Sequence, residues 1–279
     1  MMNAKQIRIS KLLNAETGRA VNIPVDHGIV MGSLPGLTDP VAVVKKLVEL
    51  GIDSTLINIG LAKITEDLFL GKSAPARILT VDLPLFSTVP GVPETVIEHD
   101  QLVGVESALR GDFQAVKVIL AWGTEAKTQM KNIRIVAELA DECDRWNMPL
   151  MVEPVLWGPA IPPERKNDPE LIEHGARIAL EAGADILKIP YTGEMTGFAD
   201  LVRRFHVPVM VLGGARMKDI RGALEIAWEI VQANAQGVVF GRNVWQHPQM
   251  SSVVQALQAI VHRGFDVDTA MSTYGLTTG

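Results

Sequence analysis

The chain has 279 residues, 47% of them hydrophobic, and its 26 basic and 32 acidic side chains give a formal net charge of -6. That length closes a sizeable core, no uncharged apolar run reaches the roughly 18 residues of a membrane helix, and the acidic balance argues against nonspecific attraction to nucleic acid or anionic lipid. The expectation is a soluble, cytoplasmic protein with a small-molecule partner.

The opening segment, MMNAKQIRISKLLNAETG, scatters its charges and has no basic start, continuous apolar middle or small-residue cleavage site. After it, short runs rich in Val, Ile and Leu alternate with longer stretches of helical spacing. The runs lie at 20–26, 54–60, 77–83, 115–121, 149–154, 185–190, 208–213 and 237–241. Segments such as DPVAVVKKLVELG and DPELIEHGARIALEAG begin at Asp and stop at Gly, as helix capping favours. The single cysteine, Cys143, lies in the helical stretch AELADECDRW, which rules out an internal disulfide framework and points to packing. Eight parallel strands in about 250 residues most simply close into one α/β domain, a (β/α)8 TIM barrel spanning 1–279, with the first segment as an extra N-terminal helix across its lower end. The rival, an open doubly wound sheet, requires a glycine-rich turn after its first strand. VDHGIVMGSLPG lacks the G-x-G-x-x-G spacing.

Barrel chemistry sits at the carboxyl ends of the strands and on the loops beyond them. Three loops are long enough to border a site: GIVMGSLPGLT, PLFSTVPGVP and LWGPAIPPERKN, the last being the best lid candidate because its prolines limit collapse. Four ionisable residues interrupt apolar strands near those ends: Asp26, Lys117, Glu153 and Lys188. Each alone has a bland explanation, as a turn cap, a frayed edge, an ion pair or a solvated strand end. Together they do not, because parallel strands covered by helices leave little room for outward charges, and four of them most naturally face the barrel mouth.

A lysine in an apolar pocket beside a second cation loses part of its preference for the charged form, and a neutral amine attacks ketones. The resulting imine withdraws electrons from neighbouring carbons and permits a carbon–carbon bond to break. Such chemistry requires no metal and no separate cofactor, and the six histidines show no ligand spacing. Glu153 suits proton transfer between carbinolamine and substrate, and Asp26 suits holding a hydroxyl. A second cluster reads as phosphate-binding: Gly213 and Gly214 end strand seven, while Gly241 and Arg242 follow strand eight and open a short helix. Barrels commonly bind phosphate with those two loops. His27, next to Asp26, is a candidate for substrate contact, although neighbours on a strand face opposite ways. Trp157 in the lid and Tyr191 after Lys188 are weaker candidates, and Trp122 and Trp245 are expected to pack.

VDHG, ADILKIP, LGGAR and GVVFGRNVWQHP, in this order, resemble class I aldolases of the DeoC/LacD/fructose-bisphosphate aldolase superfamily over about residues 20 to 262. The opening DHG and the closing GRN-x-(W/F)-Q are shared with archaeal-type fructose-bisphosphate aldolases and the autoinducer-2 aldolase branch. The resemblance implies that Lys188 is the Schiff-base lysine, Asp26 an active-site carboxylate, and Gly214, Gly241 and Arg242 part of a phosphate site. It also implies self-association, so a homo-oligomer is expected. One departure stands out: Val155 occupies the position where archaeal-type enzymes carry an acid/base tyrosine. AVKVILAW and VEPV are instead similar to tagatose-bisphosphate and sulfofructose-phosphate aldolases, in which a strand-four lysine and a strand-five glutamate accompany the Schiff-base lysine.

The resulting expectation is a metal-independent class I aldolase acting on a phosphorylated ketose or its aldehyde partner, with dihydroxyacetone phosphate or a similar three-carbon product. Two alternatives remain: transfer of the enamine or an acetyl group, as in a transaldolase or thiolase-type reaction, and a phosphosugar isomerase or binding barrel that forms no imine.

Overall fold

A computed structural model of the chain describes residues 4–86 and 96–277. In chain order the elements are α1 (Ala4–Leu12), β1 (Ala20–Asn22), α2 (Gly28–Met31), α3 (Pro40–Glu49), β2 (Ser54–Ile57), α4 (Ile59–Ile64), β3 (Ala76–Thr80), β4 (Asp82–Phe86) and β5 (Val96–Gln101). They continue with α5 (Val105–Arg110), β6 (Ala115–Ala121), α6 (Ala126–Trp146), β7 (Leu150–Val155), α7 (Pro169–Glu181), β8 (Ile186–Pro190), α8 (Met195–Phe205) and β9 (Val209–Leu212). The last are α9 (Ile220–Gln232), β10 (Gly237–Val239), α10 (Arg242–Trp245), α11 (Met250–Arg263) and α12 (Val267–Thr273).

Eight strands pair in parallel in the closed order β1-β10-β9-β8-β7-β6-β3-β2, the expected (β/α)8 barrel. Strand alternation sorts the side chains. Val116, Val118 and Leu120 of β6 join the core shared with the helices, whereas Ala115 joins the barrel's own interior with Leu56, Ile78, Met151, Ile186 and Met210. Ile9 and Leu12 of α1 belong to that interior cluster, so the first helix stops the lower end of the barrel. Burying a leucine this fully stabilises by about 1.5–3 kcal/mol.

Helix starts follow the capping chemistry expected from the sequence: Asp39, Asp168, Asp219 and Asp266 each accept a hydrogen bond from a first-turn amide. Several strands are shorter than their apolar runs. β1 ends at Asn22, although Ile23 and Val25 still donate to Ser54 and Leu56 of β2, and Asp26 lies in the turn beyond them. The third run divides into β3 and β4, and β4 turns away to pair antiparallel with β5. PLFSTVPGVP falls in this hairpin, and most of it lies outside the described residues. Among the described residues no helix is long and apolar enough to cross a membrane.

Candidate active site

The upper end of the barrel holds a cavity of about 530 Å³, and all four ionisable residues singled out above line it. Asp26, Lys117, Glu153 and Lys188 are 8%, 3%, 7% and 7% exposed. Strand register explains the convergence. Lys117 and Glu153 lie between inward-facing neighbours on β6 and β7, and Lys188 follows the inward Ile186 on β8.

Both lysine Nζ atoms lie 2.9 Å from the same atom, Glu153 Oε2. Burial works to raise the glutamate, yet the two ammonium groups outweigh it and hold Glu153 below the usual carboxylate range. Burial likewise works against the charge on Lys117, but Glu153, Asp82 and Asp26 hold it above the usual lysine range. Lys117 is thus a fixed cation beside Lys188. Asp26 Oδ2 accepts a hydrogen bond from Thr80 Oγ1 at 2.6 Å, and Asn58 Nδ2 donates to the Asp26 backbone carbonyl at 2.7 Å. Burial pushes Asp26 up, but Lys117, the neighbouring cations and the Thr80 bond bring it down to about 2.

His27 lies in a turn and not on a strand, so the alternation argument does not apply, and both it and Asp26 line the cavity. Its ring stands edge-on to Trp245, with centroids 5.2 Å apart, and burial pushes its pKa down to about 4. These two shifts define separate acid windows. For His27 the unfolded chain binds the proton first, so stability is complete above the ordinary 6.5 and declines as pH falls towards about 4. For Asp26 the contribution is present above the ordinary 3.8 and declines as pH falls through about 2. Urea midpoints recorded across this range are expected to flatten in the upper window for His27→Gln and in the lower one for Asp26→Asn. An unchanged upper slope in His27→Gln is incompatible with a buried neutral ring.

Gly213, Gly214, Gly241 and Arg242 border the same cavity. The backbone at Gly241 is close against its neighbours, since a Cβ there would lie 2.8 Å from His27 Cε1 and 3.1 Å from Pro24 Cγ. Gly214 adopts φ +63°, a conformation costly for other residues. Asn243 ties the two loops together: Nδ2 donates to Gly213 O at 2.9 Å, and Oδ1 accepts from Met217 N at 2.8 Å. Arg242 Nε is buried with no hydrogen-bond partner among the described residues.

The loop after β7 is docked. Gly158 N donates to Trp122 O and Ala160 N to Gly123 O, both at 2.9 Å, and Trp157 packs beside Ile119, Ala121 and Val155. Lys166 and Asn167 of this loop also border the cavity, as do Thr80 and Asp82; the sequence reading singled out none of these four. Asp82 satisfied the criterion applied to the other charged residues, being ionisable at the end of an apolar strand. Trp122 packs against His174 and Trp245 is buried, as expected, whereas Tyr191 does not border the cavity and packs on Phe198. Burial pushes the Cys143 thiol up to about 12, in keeping with a packing role. Among the described residues no three His, Cys, Asp or Glu side chains are placed to hold a metal ion.

A closed parallel barrel with buried lysines at its carboxyl mouth is the frame of the barrel aldolases. The chain belongs to the DeoC/LacD family aldolases, whose family model matches residues 20–247. It is 28% identical over 271 residues to an uncharacterized aldolase of Saccharolobus solfataricus, covering 97% of this chain and 98% of the relative. It is 29% identical over 276 residues to the 2-amino-4,5-dihydroxy-6-oxo-7-(phosphonooxy)heptanoate synthase of Streptomyces griseus, covering 99% and 97%. Among solved structures, a Schiff base forming fructose-1,6-bisphosphate aldolase superposes with a TM-score of 0.78 at 25% identity, over 92% of this chain and all of the other.

Proposed function

We propose that this enzyme cleaves or forms a phosphorylated ketose through an imine on Lys188, without a metal or other cofactor. The observation that carries the reading is the shared Glu153 oxygen, 2.9 Å from each lysine. Lys188 passes a proton to Glu153, and its free amine attacks the ketone carbon. The carbonyl oxygen recovers the proton, and the carbinolamine loses water to give a protonated imine. Breaking the adjacent carbon–carbon bond then leaves its electron pair in an enamine and releases an aldehyde. Glu153 serves as acid and base in these steps, a role consistent with the aliphatic Val155 on the same strand. Lys117 binds a substrate oxygen, Asp26 orients a hydroxyl, and His27 and Trp157 flank the carbon chain.

Phosphate is held by Gly213, Gly214, Gly241 and Arg242. The product named for the Streptomyces relative supports a three-carbon ketone phosphate as donor: its 6-oxo, 4,5-dihydroxy and 7-phosphonooxy groups are the pattern left by adding such a donor to an aldehyde.

The test is borohydride reduction with dihydroxyacetone phosphate and with ketose phosphates, followed by peptide mapping and an assay for released aldehyde. A reduced adduct on Lys188 is expected, with Arg242→Met raising KM roughly tenfold or more at nearly constant kcat. Aldehyde release without any adduct rules out the imine. Product formed only when an acceptor aldehyde or coenzyme A is supplied identifies a transferase.

A further inference from the structure

In the proposed reaction Asp26 orients a substrate hydroxyl, yet the barrel ladder stops one residue short of it. Val25 N donates to Leu56 O at 2.8 Å, and Asp26 then opens the turn that leads into α2. Two side chains from the neighbouring strands hold it instead. Asn58, the residue after β2, donates Nδ2 to the Asp26 carbonyl oxygen at 2.7 Å, and Thr80, the last residue of β3, donates Oγ1 to Asp26 Oδ2 at 2.6 Å. Ile78 belongs to the barrel interior, so Thr80, two residues further along the strand, faces the same way beside its register partner Lys117. Both Thr80 and Asp26 are buried and border the cavity.

A carboxylate oxygen only accepts, so the hydroxyl hydrogen of Thr80 is committed to Oδ2, in a contact of the length expected for a charge-assisted bond. Asp26 Oδ1 is then the oxygen left for a substrate. His27 Nδ1 lies 3.6 Å from Oδ1, beyond hydrogen-bond reach, and is itself buried with no hydrogen-bond partner among the described residues. A carboxylate released from Thr80 is free to rotate about its Cβ–Cγ bond and to close that gap. The imidazole would then engage the oxygen that the substrate needs.

We propose that Thr80 is a positioning residue for Asp26: its hydroxyl holds Oδ2, so that Oδ1 stays available to accept a hydrogen bond from a substrate hydroxyl. The inference rests on the role given to Asp26 in the reaction above. A threonine that only filled space at the strand end would be replaced best by valine, which has the same branched shape, and less well by serine, which lacks the methyl group. A positioning hydroxyl demands the reverse order, because serine keeps the donor and valine removes it. It also demands that the effect pass through Asp26, so that once the carboxylate is gone the hydroxyl has little left to do.

The test is a double-mutant cycle on aldehyde release from the ketose phosphate turned over fastest in the assay above. Thr80→Val is expected to lower kcat/KM roughly tenfold or more, and Thr80→Ser to stay within about threefold of the wild type. Combined with Asp26→Asn, Thr80→Val is expected to add little to the loss that Asp26→Asn causes alone. Wild-type kcat/KM in folded Thr80→Val overturns the proposal, and so does an equal loss from Thr80→Val with and without Asp26→Asn. If Thr80→Val does not fold, Thr80→Ala takes its place, and wild-type activity in that variant overturns the proposal in the same way. Asp26→Asn as active as the wild type removes the role of Asp26, and the inference falls with it. Aldehyde release by the wild type without a borohydride adduct refutes the imine alone, and the cycle still decides whether Thr80 acts through Asp26.

Discussion

Lys188→Met is expected to abolish both aldehyde release and borohydride trapping, with activity reduced on the order of 10⁴-fold or more, the scale of losing a covalent nucleophile. Methionine keeps an unbranched side chain only one heavy atom shorter at this position on β8. Glu153 retains its 2.9 Å contact with Lys117, so no buried carboxylate is left unpaired. Removing one of two ammonium groups from a site less than one-tenth exposed also removes a desolvation cost. The variant is therefore expected to unfold at the wild-type urea concentration or above it. Lost activity with retained stability assigns the effect to chemistry. Substantial aldehyde release from the purified variant would remove Lys188 from the mechanism.

Glu153→Gln is expected to show the opposite combination, losing both activity and stability. The amide keeps the shape but leaves two buried ammonium groups side by side without the carboxylate they share. Breaking a buried ion pair in this way costs about 3–5 kcal/mol. Loss of the proton carrier is expected to lower kcat by roughly 10²–10⁴-fold. Because the folded carboxyl is held below its usual range, the Glu153 contribution to stability is present above the unfolded pKa and is lost as pH falls through the folded value. The stability gap between wild type and Glu153→Gln should narrow accordingly in acid. A gap that stays constant into strong acid, or a variant as active as wild type, would contradict the assignment.

The barrel was legible because two periodicities alternate eight times, and the Lys–Glu–Lys cluster because charge inside an apolar parallel strand has nowhere to go except the mouth. Less legible was the β4–β5 hairpin. Pro84 and the polar stretch Glu98, His99 and Asp100 disguise its strands as loop. Asp82 reads in the sequence as a charge at the end of an apolar strand, like the other four, and what the sequence conceals is only that it opens the hairpin. Thr80 carries no charge to attract notice, and only the 2.6 Å bond to Asp26 reveals it. Lys166 and Asn167 sit on a long loop where no repeat constrains direction, so their approach to the cavity is a matter of tertiary docking on Gly123.

The stopper formed by Ile9 and Leu12 has a bearing on the order of events. With the floor stopped by these side chains, substrate and products share the upper mouth, and under the proposed chemistry the fragment joined to Lys188 is held in the cavity beneath it. In that proposed sequence the aldehyde departs before hydrolysis frees the tethered fragment. A nine-residue helix at the far end of the barrel thereby directs substrate entry and product exit to the same mouth.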